Sequence, residues 1–258
     1  MREWWQELAG LVLPVDCAGC GAARVLLCAG CRSALSGAGA GRVRPSPSPG
    51  GLPVVHAAAA YEGAVRTVLL AHKERGALPL AGALGTALAA AVRAGGAGDR
   101  DRDREGRAAE VALVPVPSAR RQVRARGHDP ARRIALAAAG RLRRAGVPAR
   151  VAPVLRLRRA VADQAGLGAG QRRENLAGAL AVCRDGARLT AGARVVLVDD
   201  LVTTGATLAE AARALREAGL VQVTAVRAAV VAASADSFGR VPTGARRRAT
   251  HTGEKSCE

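Results

Sequence analysis

Aromatic side chains are nearly absent from this chain. Two Trp, one Tyr and one Phe among 258 residues amount to 2%. The core must therefore be filled with Ala, Val and Leu, and a nucleic-acid channel that stacks bases on rings is disfavoured. Acidic residues are also scarce: 21 Asp and Glu face 39 Lys and Arg, a formal charge of +18. No uncharged run reaches the ~20 apolar residues of a spanning helix. None is longer than 76–92, which is rich in Ala and Gly and contains Pro79. At the amino end, Glu3, Glu7 and Asp16 interrupt what would be the apolar stretch of a signal peptide. A cytoplasmic protein without membrane insertion is expected. There is no internal repeat, and no Ser/His/Asp or Cys/His arrangement stands out. His56 and His72 lack sequence partners and suit core or surface positions.

What is present is a core-forming chain, 49% apolar. An amphipathic helix is expected over 2–11, then a cysteine cluster, then a Gly/Pro/Ser linker over 37–51. From Val54 onward, strand candidates (54–61, 111–116, 151–157, 179–183, 194–199, 221–231) alternate with helix candidates (64–73, 80–92, 130–145, 206–218). That alternation predicts an α/β fold with a mostly parallel sheet flanked by helices. A surface loop is expected at 95–110 and a basic disordered tail after Ser234. The expected units are 1–50, 51–233 and 234–258. Between Pro115 and Asn175, 15 Arg face three acids, Asp129, Asp163 and Glu174. Such a cluster suits either solvated helix faces or an anion such as a phosphate.

The most informative run is Arg194-Val-Val-Leu-Val-Asp-Asp-Leu-Val-Thr-Thr-Gly-Ala-Thr-Leu208. An apolar strand delivers Asp199 and Asp200 to its carboxyl end, where α/β folds bind ligands. The turn Thr203, Thr204, Gly205, Ala206, Thr207 then offers backbone N–H groups and hydroxyls at a helix start, which suits a monophosphate. Adjacent carboxylates can accept hydrogen bonds from vicinal sugar hydroxyls.

This run resembles the phosphoribosyl-pyrophosphate (PRPP) signature of type I phosphoribosyltransferases. Val114-Pro-Val-Pro-Ser118, ending a strand just before an expected Arg-rich loop, resembles the pyrophosphate turn of that fold, with Pro117 and Ser118 at its end. Arg126-Gly-His-Asp129 resembles the R-G-[FY]-N element of ComF-type proteins, from which His128 and Asp129 depart. Arg158, Arg159, Gln164, Arg172 and Asn175 resemble the mobile loop of the same group, and Tyr61-Glu-Gly-Ala-Val-Arg66 with His72-Lys73 its opening. The resemblance implies that Asp199 and Asp200 address the ribose hydroxyls and that residues 203–207 cradle the 5′-phosphate. It implies that Pro117, Ser118 and Arg126 meet the pyrophosphate and that Arg158, Arg159 and Arg172 cover it, with Mg²⁺ accompanying PRPP. The acceptor would be an unidentified nitrogenous compound. The alternative is a PRPP-sensing or single-stranded-DNA-handling protein tied to DNA-uptake machinery.

Cys17, Cys20, Cys28 and Cys31 form C-x2-C-x7-C-x2-C. Two such knuckles can present four thiolates to Zn²⁺ in a closed structural site, a small zinc-ribbon-like module. ComF-type proteins resemble the chain here too. Cys183 suits a buried strand position.

Overall fold

The computed structural model describes residues 16–96, 109–159, 161, 169–221 and 226–238. The expected helix at 2–11, most of the 95–110 loop, Gln164 and nearly all of the tail lie outside these residues. The described elements in chain order are α1 (Ala29–Ala34), β1 (Gly41–Val43), β2 (Val54–Ala60), α2 (Gly63–Glu74), α3 (Ala81–Ala94) and β3 (Val111–Pro115). Then come α4 (Arg120–Arg126), α5 (Pro130–Arg144), β4 (Ala149–Val151), β5 (Leu155–Leu157), α6 (Ala169–Leu176) and β6 (Leu180–Val182). The last are α7 (Gly186–Thr190), β7 (Arg194–Val202), α8 (Ala206–Glu217) and β8 (Arg227–Ala233).

Six strands make one sheet in the order β1-β2-β8-β7-β3-β4. All neighbours are parallel except β1, which runs antiparallel along the edge of β2. The expected mostly parallel sheet is thus present, and its strands are apolar on both faces, as a sheet covered on both sides requires. Val111, Leu113, Val196, Val198, Ala229 and Val231 join the core with α2, α3 and α5. Their neighbours Ala112, Val114, Val195, Leu197, Ala228 and Val230 join the opposite core with α8. A core poor in aromatics packs closely by bringing helices together. A Cβ on Gly85 of α3 would stand 2.5 Å from the Cβ of Ala137 in α5, nearer than any real contact.

Several elements differ from the sequence expectation. The strand expected at 151–157 is two strands: β4 pairs with β3, whereas β5 leaves the sheet and pairs antiparallel with β6. Pro153, which has no N–H to give to a ladder, stands between them. The arginines after Ser118 form helix α4, closed by Gly127 at φ 72°. It buries no residue, so it carries no apolar period. Within 37–51, Gly41–Val43 pairs with β2 and buries Val43; three residues are too few to show a pattern. Helix α5 is as expected, with Pro130 in its first turn and Asp129 as cap, accepting the Arg132 N–H at 3.1 Å. At the carboxyl end of the described chain, Ala235–Ser237 forms a short 3₁₀ turn, and the Ser237 carbonyl accepts the Arg44 N–H at 3.0 Å.

Candidate functional site

Strands β3 and β7 are neighbours, but the chain leaves them in opposite directions. From β3 it crosses through α5 to β4, and from β7 through α8 to β8. A crevice opens at the carboxyl ends of two strands whose connections diverge. A cleft of about 490 Å³ lies there. Val116, Pro117 and Ser118 line it from the end of β3; Asp199, Asp200, Thr203 and Thr207 line it from the end of β7. Tyr61, Lys73, Glu74, Gln122 and Arg126 complete its polar lining. Asp199 and Asp200 are successive strand residues, yet both line this one cleft.

The electrostatics of the acids follow from their burial. Asp200 is 6% exposed, and its Oδ2 lies 2.8 Å from Lys73 Nζ at the end of α2. Asp199 Oδ1 accepts the Asp200 N–H at 2.8 Å. Burial pushes the Asp199 carboxyl well above the usual range, and the neighbouring Asp200 adds to this. Burial alone would lower the Lys73 ammonium, but Asp200 and Asp199 outweigh it and raise it. Two side-by-side carboxylates are thus partly neutralised by one lysine. Lys73 was not among the expected site residues; its place in the family-like opening motif was the signal that could have found it.

The turn after β7 is built for close approach. Gly205 caps α8 at φ 76° without any side-chain cap, so the first-turn N–H groups carry no intrahelical or capping partner from that residue. A Cβ at Gly205 would lie 2.9 Å from Leu52 Cδ1, the tip of a side chain that can turn aside, so it is the positive φ that demands glycine. Thr204 Oγ1 accepts the Ala206 N–H at 3.4 Å. The opposite turn is held by Asp129, whose Oδ2 accepts the Ser118 N–H at 3.5 Å while its Oδ1 caps α5. Asp129, which departs from the family-like motif, is a helix cap and turn brace. His128 packs on His72 with ring centroids 5.3 Å apart, and its Nε2 lies 3.2 Å from the His72 carbonyl. Both rings are core residues, as is His56.

The arginines divide. Arg126 lines the cleft in a two-point pair with Glu74, at 3.0 and 2.7 Å. Arg158 and Arg159 are exposed and are not among the residues lining the cleft. Arg159 instead donates to the carbonyls of Asn175 and Ala177, each at 2.9 Å. The side chain of Arg172 lies outside the described residues.

The sulfurs of Cys17, Cys20, Cys28 and Cys31 all lie within 4.8 Å of one another, and Cys20 and Cys28 are 3.6 Å apart. A Zn–S bond of about 2.3 Å gives a tetrahedral edge of about 3.8 Å, so four thiolates fit a metal such as zinc. The Cys28 N–H points at Cys17 Sγ at 3.3 Å and pulls that thiol down to about 6. Burial pushes the Cys31 thiol up. Gly19 leaves room for this group, because a Cβ there would meet Cys31 Sγ at 2.6 Å. Cys17, Leu27, Cys31 and Leu35 share the core of Val65, Val68 and Leu69 on α2, so the cluster braces the helix that carries Lys73.

Among the described residues no helix is long and apolar enough to cross a membrane. No curated protein matches the chain. Residues 149–247, which include β7, both acids, the Gly205 turn and α8, match the family model of the phosphoribosyl transferase domain, and over this stretch the chain is phosphoribosyltransferase-like.

Proposed function

We propose that the cleft binds PRPP and that the chain transfers its 5-phosphoribosyl group to a nitrogenous acceptor, releasing pyrophosphate. One observation carries this reading: Asp199 and Asp200 line one cleft together with Thr203 and Thr207, which flank the Gly205 start of α8. Asp199 and Asp200 would accept the ribose hydroxyls, and residues 203–207 would hold the 5′-phosphate through backbone N–H and hydroxyl groups. The Pro117–Ser118 turn and Arg126 would face the pyrophosphate. Lys73 is placed to exchange its bond to Asp200 for one to the ligand. Arg158, Arg159 and Arg172 belong to the segment that would close over the leaving group and exclude water. Mg²⁺ bound with PRPP supplies charge neutralisation at the pyrophosphate.

We place the chain with ComF-type proteins because the four-cysteine cluster precedes the transferase-like part and the opening motif contributes Tyr61 and Lys73 to the cleft. Cys17, Cys20, Cys28 and Cys31 would hold a structural Zn²⁺ with no open coordination position. Titration calorimetry with PRPP and Mg²⁺ tests the reading. Saturable one-to-one binding that Asp200→Asn weakens at least tenfold supports it, since a hydrogen bond to a charged group contributes about 1.5–3 kcal/mol. Absence of binding by the wild-type chain rejects it.

A further inference from the structure

Helix α4 carries more positive charge than its fold can use. Its seven residues include Arg120, Arg121, Arg124 and Arg126 and no acid. It buries none of them, and Ala119 caps it without a side-chain bond. A helix of this length is marginal on its own, and cations in its first turn work against the helix dipole. Arg126 is committed to Glu74. Arg120, Arg121 and Arg124 are exposed and form no ion pair among the described residues. On α8, by contrast, Arg213 is answered by Glu210 and Glu217 at 2.7 and 2.5 Å. Stability of the helix does not account for the three open charges.

Their position does. Gln122 and Arg126, one turn apart on α4, line the cleft, and so do Pro117, Ser118 and Ala119 just before the helix. Arg120, Arg121 and Arg124 stand outside that lining. At a rise of 1.5 Å per residue the whole helix spans about 10 Å, about one Debye length at 0.1 M salt. All three charges are therefore felt at the cleft without touching what binds there. The cleft itself offers an anion little net attraction. Its cations Lys73 and Arg126 are matched by Asp200 and Glu74, and Asp199 adds a further acid to the lining. The outer face of α4 supplies the positive potential that the lining cancels.

Resting on the phosphoribosyl reading above, we propose that Arg120, Arg121 and Arg124 form an electrostatic docking ridge that draws polyphosphorylated ligands to the cleft. The ridge acts through space, so it selects by ligand charge and fades with salt. Calorimetry on the full chain at low and high chloride reads it. The triple variant Arg120→Gln, Arg121→Gln, Arg124→Gln should bind PRPP with Mg²⁺ roughly fivefold more weakly at about 0.1 M salt. Near 1 M, where the Debye length falls to about 3 Å, it should match wild type. Ribose 5-phosphate, which lacks the diphosphate, should weaken only about twofold at the lower salt. The corresponding triple Lys variant keeps the charge and should retain wild-type affinity. Both variants should melt with wild type, because α4 buries nothing. A loss that persists at high salt or that lysine does not restore, or a lowered melting temperature, means contact or a structural role and overturns the ridge. Unchanged affinity at the lower salt overturns it too. In all these cases wild type still binds, and the phosphoribosyl reading stands. A wild-type chain that binds neither ligand overturns both.

Discussion

Both ends of the parallel sheet are charged, but they resolve that charge in opposite ways. At the amino ends of β7 and β8, Arg194 donates to the Gly96 carbonyl at 2.9 Å and Arg227 to the Gly95 carbonyl. Arg150, beside β3, pairs with Glu110 and donates to the carbonyls of Leu189 and Ala191. These cations are absorbed by the protein's own carbonyls. At the carboxyl ends, Asp199, Asp200, Lys73 and Arg126 surround a cleft of about 490 Å³ instead. Charge marks a ligand site where it borders open space. Where it meets its own backbone, it is part of the fold.

The largest effect should come from Thr204→Asp, which sets a negative charge in the anion turn. PRPP binding should be abolished, with the melting temperature little changed. Unchanged affinity would mean that the turn does not face the ligand. Next, stripping the metal from the cysteine cluster should lower Tm by roughly 5 °C or more, at about 2–4 °C per kcal/mol for a chain of this size. Gly19→Ala should reduce the metal content, read by elemental analysis, because its methyl would displace Cys31. A melt indifferent to chelator would separate the cluster from the core of α2.

A smaller effect, opposite in sign for stability and for binding, should follow Asp199→Asn. Asp199 has a raised carboxyl in the folded state. Above the ordinary Asp range of about 3.9, the folded chain therefore holds a proton that the unfolded chain has released. Stability then falls as pH rises through that window, up to the raised value. The Asn variant should lose PRPP affinity while its stability advantage over wild type grows across the window, by about 1.4 kcal/mol for each pH unit. Thermal melts at stepped pH check this, and a constant difference would contradict the burial of the charge. The smallest effect is expected for Arg227→Ala: a loss of about 1 kcal/mol of stability and no change in ligand affinity. A change in PRPP binding there would break the contrast between the two ends.

The parts legible in the sequence were those fixed by local pattern. The run of residues 194–207 announces a strand, two acids and a glycine turn, and the four cysteines announce their own cluster. The division of the arginines was not legible. Fifteen Arg between 115 and 175 look alike in sequence, but Arg126 borders the cleft, Arg150 braces two carbonyls and Arg159 ties its own loop. Those fates depend on partners 16 to 52 residues away. Lys73 was hidden for the same reason, since its partner Asp200 lies on another element. Helix α4 left no mark because it buries nothing.

The central claim is that the end of β7 presents a ribose-phosphate site, and titration of the full chain with PRPP in the presence of Mg²⁺ tests it most directly. One site per chain is predicted, lost on Thr204→Asp and retained on Arg227→Ala. No heat of binding, or binding that survives Thr204→Asp, would contradict it.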